Sequence, residues 1–263
     1  SFCMNGPCER PLTLDDVRSF NFPVGEMHIQ LPENILTRNF VDITYEYSDN
    51  ESVIKFMMIG DTLKRLGISI RTIYIPYLPF SREDRSFEKG GSFGLAFFAD
   101  IINRMEPRKV ILKDVHSDIA LELIKNSHNL EQHTIFAEKF RGKKGFVLVA
   151  PDKGALPKIK KLAECVDEIG ILTFDKEREL STGKILRHVT NDWKEEYRGK
   201  DFYIVDDICD GGATFFSIGL ALRKLNGGEG RNILMVTHGF FTKGLDVFKG
   251  VIDEIYTSRG RIL

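Results

Sequence analysis

The chain has 263 residues, 42% apolar and 29% charged, enough for one large or two ordinary globular domains and too apolar for general disorder. Its 37 basic and 38 acidic residues leave a formal net charge of −1, which argues against a nonspecific nucleic-acid or membrane-surface binder. The longest apolar runs, such as Phe146 to Pro151, fall far short of the ~18 residues of a membrane helix, and no N-terminal stretch reads as a signal peptide. Cys3, Cys8, Cys165 and Cys209 show neither CxxC spacing nor a completing histidine set, so reduced thiols in a cytoplasmic protein are expected.

In chain order, the stretch to about Arg18 reads as irregular, punctuated by Gly6, Pro7 and Pro11. Phe22 to Leu31 is a turn feeding a short alternating strand. Asp49 to Leu66 is a helix, capped by Asp49 or Asn50 and stopped by Gly67. Ile70 to Ile75 is a strand ending at Pro76, Gly91 to Arg104 a helix, Lys109 to Val115 a strand and Ser117 to Lys125 a short helix. The second half repeats the rhythm. Strands are expected at Gly145–Ala150, Glu168–Phe174, Phe202–Asp207, Asn232–Thr237 and Ile252–Tyr256, with helices at Leu156–Ala163, Thr214–Leu225 and after Asp246. Asp175 to Gly183 reads as a long polar stretch with five charges. Strand–helix alternation in both halves implies an α/β protein of parallel sheets flanked by helices. The polar segment Arg141–Gly145 marks a boundary between domains 1–142 and 143–263.

Ligands of open α/β sheets sit beyond the carboxyl ends of strands, so those ends carry the functional reading. After the 70–75 strand come residues 76–85, Pro-Tyr-Leu-Pro-Phe-Ser-Arg-Glu-Asp-Arg, where Arg82 and Arg85 offer guanidinium forks suited to phosphate; a solvated loop has the same look. After the 109–115 strand comes His116, able to meet a metal or phosphate, although a lone histidine is more often structural. After the 145–150 strand, Asp152 in Pro-Asp-Lys-Gly could hold Mg²⁺ or simply make a turn. The most informative segment is Asp206-Asp207-Ile208-Cys209-Asp210-Gly211-Gly212-Ala213-Thr214, running into a helix. Paired aspartates at a strand end are costly unless cations or sugar hydroxyls meet them. The glycines let backbone N–H groups form an anion nest at a helix N-terminus, and Thr214 adds a hydroxyl. Together these describe a ribose-phosphate site.

This last segment resembles the phosphoribosyl-pyrophosphate (PRPP) binding motif, and the other segments resemble, in order, the motifs of ribose-phosphate pyrophosphokinases (PRPP synthases). Residues 76–85 are similar to that family's ATP loop, Pro-Tyr-x-Arg-Gln-Asp-Arg/Lys. Asp114-Val-His116 resembles its Asp-Leu-His, Pro151-Asp152-Lys-Gly154 its Pro-Asp-x-Gly, and Asp175-Lys176-Glu177-Arg178 the Lys-x-Arg of its catalytic flap. Thr237-His238-Gly239-Phe-Phe241 resembles Thr-His-Gly-x-Phe, and Phe22-Pro-Val-Gly25-Glu26 resembles Phe-Ser-x-Gly-Glu. The resemblance runs from residue 22 to about 257 and implies two similar phosphoribosyltransferase-like domains. It implies that Lys176 and Arg178 neutralise charge as the diphosphoryl group moves, and that His116 and Asp152 meet ATP phosphates and Mg²⁺, with Mn²⁺ as a substitute. It further implies that Arg82, Asp84 and Arg85 line the ATP site, and that Phe22 and Glu26 contact adenine from a neighbouring subunit of a homo-oligomer. Asp206 and Asp207 would hold ribose hydroxyls, while Asp210, Gly211, Gly212, Ala213 and Thr214 cradle the 5-phosphate.

Four features depart from the family pattern. Glu83 replaces a glutamine and adds a negative charge near the ATP loop; Val24 stands where a polar residue is usual. Gly211 replaces a threonine and removes one hydroxyl donor. The chain begins after the family's usual first strand and helix and ends before its last, which puts the family's ordinary hexamer contacts and allosteric ADP/phosphate site in doubt. Four functional readings follow. The first is ATP-dependent diphosphoryl transfer to ribose 5-phosphate. The second keeps that chemistry on a larger 5-substituted acceptor such as ADP-ribose, in a pocket opened at Gly211. The third is a non-enzymatic regulatory paralogue, and the fourth a phosphoribosyltransferase, which would have no use for the ATP-loop and flap motifs.

Overall fold

The structure, a computed structural model, describes residues 10–178 and 185–263. Cys3, Cys8 and the tip of the proposed flap lie outside the described residues; Cys165 and Cys209 are free thiols. The chain forms two compact units that divide between Leu130 and Glu131.

The first unit contains β1 (Leu12–Thr13), β2 (Arg18–Asn21), β3 (Met27–Gln30), α1 (Glu33–Leu36), β4 (Phe40–Thr44) and α2 (Asn50–Arg65). It continues with β5 (Ser69–Ile75), α3 (Gly94–Arg104), β6 (Lys109–Lys113), α4 (Ile119–Leu123) and β7 (Ser127–Leu130). Its five-stranded sheet has the order β1-β4-β5-β6-β7, parallel throughout. Asp49 caps α2, its carboxylate accepting the Ser52 N–H at 2.8 Å. From α2, Val53, Phe56, Ile59 and Leu63 join Ile73, Ile75, Phe98 and Leu112 in one apolar core. The stretch before Arg18 is less irregular than its composition suggests, because Leu12 and Thr13 add an edge strand against Ile43 and Thr44. Tertiary pairing also makes strands of β4 and β7, which sequence patterning had left unassigned. β7 is a short, partly buried edge strand with little alternation, whereas β4 lies between β1 and β5 and alternates, with Val41 and Ile43 buried.

The second unit contains α5 (Gln132–Phe136), β8 (Lys144–Ala150), α6 (Leu156–Ala163), β9 (Asp167–Thr173), β10 (Asp175–Arg178) and β11 (Ile185–Val189). It continues with β12 (Phe202–Cys209), α7 (Ala213–Leu225), β13 (Asn232–Gly239), β14 (Glu254–Thr257) and β15 (Gly260–Arg261). Its sheet has the order β15-β14-β13-β12-β8-β9, parallel except for β15. The sequence-derived boundary at residue 142 falls inside this unit. The segment just before that boundary belongs here because Phe140 stacks on Phe146 at 4.9 Å and tilts onto Tyr203 at 4.8 Å. Alternation along the strands splits the interior into two layers. Phe146, Leu148 and Ala150 face one layer, Val147 and Val149 the other. The stretch from Asp175, expected as an irregular polar loop, begins instead as an antiparallel hairpin, β10 with β11, setting Lys176 opposite His188 in backbone register.

Candidate functional site

In the second unit, four polar segments gather at the carboxyl ends of β8, β12 and β13. β12 is buried from Phe202 to Val205 and then turns acidic, with Asp206 half-buried and Asp207 buried. The Asp207 N–H donates to Asp206 Oδ1 at 2.9 Å. Lys158 of α6 brings its Nζ to 3.3 Å from Asp207 Oδ2. Burial first, then the charges of Asp207 and of Asp152, hold the Asp206 carboxyl well above the usual carboxylate range. Lys158 thus offsets part of the charge on Asp207, while the charged form of Asp206 stays disfavoured, a state that a cation or sugar hydroxyls would relieve.

The chain then turns through Asp210-Gly211-Gly212 into α7. Gly212 is the N-cap, at φ +80° and ψ −3°. A β-carbon there would also stand 2.5 Å from Phe248 Cζ, so both backbone and space require glycine. Gly211 has neither requirement. Its φ is not in the left-handed region, and a β-carbon there would stand 3.4 Å from Cδ and Cε of Lys243, an ordinary contact. The segment after β13 is laced to this turn. The Phe240 N–H donates to the Cys209 carbonyl at 2.8 Å and the Thr242 N–H to the Asp210 carbonyl at 3.1 Å. Thr242 Oγ1 also donates to Asp210 Oδ1 at 2.7 Å, so that carboxylate helps hold the loop. The open first turn of the 13-residue α7, carrying Ala213 and Thr214, presents backbone N–H groups to an anion.

After β8, Asp152 Oδ1 accepts the N–H groups of Gly154 at 3.0 Å and Ala155 at 3.2 Å, closing the turn into α6. Lys153 reaches Asp175 at 3.0 Å, tying this turn to the base of the β10–β11 hairpin. The backbones of Lys176 and Arg178 lie on β10, while their side chains fall outside what the structure describes.

In the first unit, β5 runs into the loop carrying Arg82, Asp84 and Arg85, with both arginines exposed. Arg85 faces Asp84 at 3.7 Å and lies over the Phe87 ring. Glu83 is turned elsewhere. Its carboxylate accepts from Ser92 Oγ at 3.1 Å, and its backbone carbonyl accepts the Leu95 N–H at 3.1 Å. The added negative charge thus sits at the N-terminus of α3, where the helix dipole favours it. His116 follows β6 and is exposed, two residues beyond the buried Asp114, whose φ is +44°. Phe22 and Glu26 stand across from each other at the tip of the β2–β3 hairpin, the Phe22 N–H donating to the Glu26 carbonyl at 2.8 Å. Phe22 is 47% exposed and packs edge-on against Phe20 at 5.3 Å.

Two residues at the second unit's site were not singled out from sequence. Lys158 sits in the run Lys158, Lys160, Lys161, which reads as a solvated helix face. Lys243 lies in a turn whose neighbour in space is 32 residues away in sequence, beyond any local pattern.

The geometry is that of a pair of parallel α/β units, one of them carrying a strand-end acidic pair followed by a glycine turn and a helix. A family profile described as the N-terminal domain of ribose phosphate pyrophosphokinase matches residues 10–105. The ribose-phosphate pyrophosphokinase of Pyrococcus abyssi is 30% identical over 233 residues, covering 88% of this chain and 79% of the relative. That of Pyrococcus furiosus is 29% identical over 255 residues, covering 96% and 88%. The crystal structure of phosphoribosylpyrophosphate synthetase from Mycobacterium smegmatis matches the fold with a TM-score of 0.74 at 19% identity, over 92% of this chain and 79% of that one. The chain belongs to the ribose-phosphate pyrophosphokinase family, and its fold is that of two phosphoribosyltransferase-like domains.

Proposed function

We propose that this protein transfers the β,γ-diphosphoryl group of ATP to the anomeric hydroxyl of ribose 5-phosphate, giving PRPP and AMP. The observation that carries this reading is the strained Asp206–Asp207 pair beside the Gly212 turn and the open first turn of α7. Hydroxyls of a ribose answer the carboxylates, and its 5-phosphate answers the N–H nest. The sugar O1 attacks the β-phosphorus, the bridging oxygen leaves with AMP, and the hydroxyl proton passes to solvent. Charge spreads over phosphoryl oxygens, so positioning and cations supply the catalysis.

Lys176 and Arg178 of the hairpin are the proposed cations at the migrating group, and Arg82 and Arg85 grip ATP, with Asp84 orienting Arg85. Among the described residues no three His, Cys, Asp or Glu side chains gather closely enough to hold an ion by themselves. That suits Mg²⁺, which takes one or two carboxylates and completes its shell with nucleotide phosphates. The carboxylate of Asp152, close enough to Asp206 to raise its pKa, is the proposed protein ligand. His116, a softer nitrogen donor, is better matched to an ATP phosphate oxygen than to Mg²⁺. When bound, the metal supplies charge neutralisation on the phosphates. The exposed aromatic tip at Phe22, with Glu26 beside it, is the proposed adenine contact with a neighbouring subunit, which requires a dimer or larger assembly.

The test is chromatographic detection of AMP and PRPP from ATP, Mg²⁺ and ribose 5-phosphate. Absence of AMP, or undiminished turnover in excess EDTA, would overturn the reaction or its metal. Lys176→Ala is expected to lower kcat at least ~10²-fold with ATP binding retained.

A further inference from the structure

We propose that Lys243 is a specificity-determining residue of the acceptor site, its ammonium pairing with the dianionic 5-phosphate of a ribose phosphate monoester in place of the hydroxyl that Gly211 lacks. The proposal deepens, and rests on, the reading of the 210–214 turn as the acceptor's phosphate cradle.

Three observations place the lysine there. Its side chain lies across Gly211, with Cδ and Cε 3.4 Å and Cγ 3.5 Å from where a β-carbon would stand. The lysine stem therefore borders the space freed by glycine, at contact distance from where a β-carbon would stand, and narrows the room for a substituent on the sugar phosphate. The backbone delivering Lys243 is also held. Gly244, at φ +74°, donates its N–H to the Phe241 carbonyl at 2.7 Å, closing a turn whose central residues are Thr242 and Lys243. Thr242 is in turn bonded to Asp210 through both its N–H and its hydroxyl. Finally, no ion pair or hydrogen bond engages the Lys243 ammonium among the described residues, whereas Lys158 and Lys153, at the same end of the sheet, are engaged by Asp207 and Asp175. The stem thus rests on the phosphate turn with its charge uncommitted.

A lysine there changes what the site prefers. A hydroxyl donor reads any phosphate oxygen, but a compact ammonium is rewarded by charge. A monoester carries close to two negative charges at neutral pH, whereas a phosphate bridged to a second group carries one. The pair Gly211–Lys243 therefore favours ribose 5-phosphate over ADP-ribose on charge, and the stem works in the same direction by occupying room.

The experiment compares wild type, Lys243→Met, Lys243→Arg, Lys243→Ala and the double variant that combines Gly211→Thr with Lys243→Ala. Steady-state kinetics are measured with ribose 5-phosphate, and affinity for ribose 5-phosphate and ADP-ribose is measured by calorimetry. Lys243→Met keeps the stem and removes the charge. It is expected to raise KM and Kd for ribose 5-phosphate about 10- to 100-fold while kcat stays within about threefold, the loss of one hydrogen bond to a charged group. Affinity for ADP-ribose should fall less, and Lys243→Arg should recover most of the loss. The double variant, which exchanges the cation for a hydroxyl and frees its space, should bind ribose 5-phosphate better than Lys243→Ala alone. Unchanged KM and Kd in Lys243→Met, in an enzyme that turns over ribose 5-phosphate, would overturn the role of Lys243 and leave the proposed reaction standing. Equal losses for the two ligands would overturn the charge selectivity. A protein that binds ribose 5-phosphate in a Lys243-dependent way without forming AMP would sink the reaction and support this site.

Discussion

The two units share a connectivity, parallel strands alternating with helices, but their sheets are held by different means. In the second unit the central strands are buried on both sides, with Phe146, Leu148, Tyr203, Ile233 and Met235 in one layer and Val147, Val149, Ile204, Leu234 and Val236 in the other. The first unit has one apolar core, into which Val41, Ile43, Ile73, Ile75, Val110 and Leu112 point. Across β4, β5 and β6, the row Thr44, Tyr74 and Ile111 stays in register outside that core. Polar and cation–π contacts fill in there. Arg71 lies over the Phe40 ring at 4.5 Å and donates from Nε to Asp42 at 2.9 Å, and Lys113 lies 5.9 Å over Tyr74. A two-layer sheet makes every strand residue costly to change, whereas a one-layer sheet concentrates that cost on alternate positions.

The sharpest way to break this comparison is a paired truncation. Leu148→Ala, wholly buried in the second unit, is expected to cost about 2–5 kcal/mol. Ile111→Ala, buried but outside the first unit's core, is expected to cost under about 2 kcal/mol. Chemical denaturation of both variants measures the difference, and equal costs would mean that the first sheet is as tightly packed on both faces as the second.

The next effect runs in the opposite direction. Asp206 is destabilising in the empty protein, because a carboxyl whose folded pKa is raised binds its proton more tightly in the folded state. Its penalty is absent below the unfolded pKa of ~4, grows as pH rises towards the folded value, and persists above it. Asp206→Asn keeps an acceptor for the Asp207 N–H while removing the charge. It is expected to raise Tm by about 2–4 °C per kcal/mol of penalty relieved at pH 7–8, to lose that gain towards pH 4, and to lose binding of ribose phosphate. Calorimetric scans across that pH range decide it, and a gain that survives at pH 4 would point to a cause other than charge.

The smallest effect belongs to the first unit's surface. Asp42 is held below the usual carboxylate range by its bonds to Arg71 and Thr72, which outweigh the opposing effect of burial. Its contribution is present above its unfolded pKa and fades as pH falls through the folded value. Because the guanidinium is half-exposed, Arg71→Met is expected to cost no more than about 1 kcal/mol at neutral pH, and less in high salt. A salt-independent loss of several times that would make the Phe40–Arg71–Asp42 cluster part of a true second layer.

Much of the fold was legible because its signals are local. The Asp49 cap and the apolar runs at 146–150 and 233–236 each act within a few residues. The Asp206–Asp207 pair and the following glycines were legible for the same reason, since strand end, turn and helix start are contiguous. The buried face of α2 was only partly legible, since Ile54, Met57 and Leu66 read as apolar-face residues but are exposed, and Phe56 and Ile59 pack inward beside Val53 and Leu63. β1 and β7 were not legible, because their pairing partners supply what their length and composition lack, whereas β4 carries its own alternation in Val41 and Ile43. The β10–β11 pairing was not legible because the charged run Asp175–Arg178 carries no apolar alternation.

The amino-acid order by itself determined the parallel α/β class, the strand ends where polar and charged groups gather, and the identity of those groups. Tertiary structure alone decided how those residues are used. It turned the Glu83 carboxylate onto Ser92 at the start of α3, away from the role its charge suggested, and set Lys158 against Asp207. It also separated two adjacent glycines, one demanded by a left-handed backbone against Phe248 and the other merely covered by Lys243. Such distinctions depend on distances between segments far apart in the chain, and neither spacing nor composition encodes a distance through space.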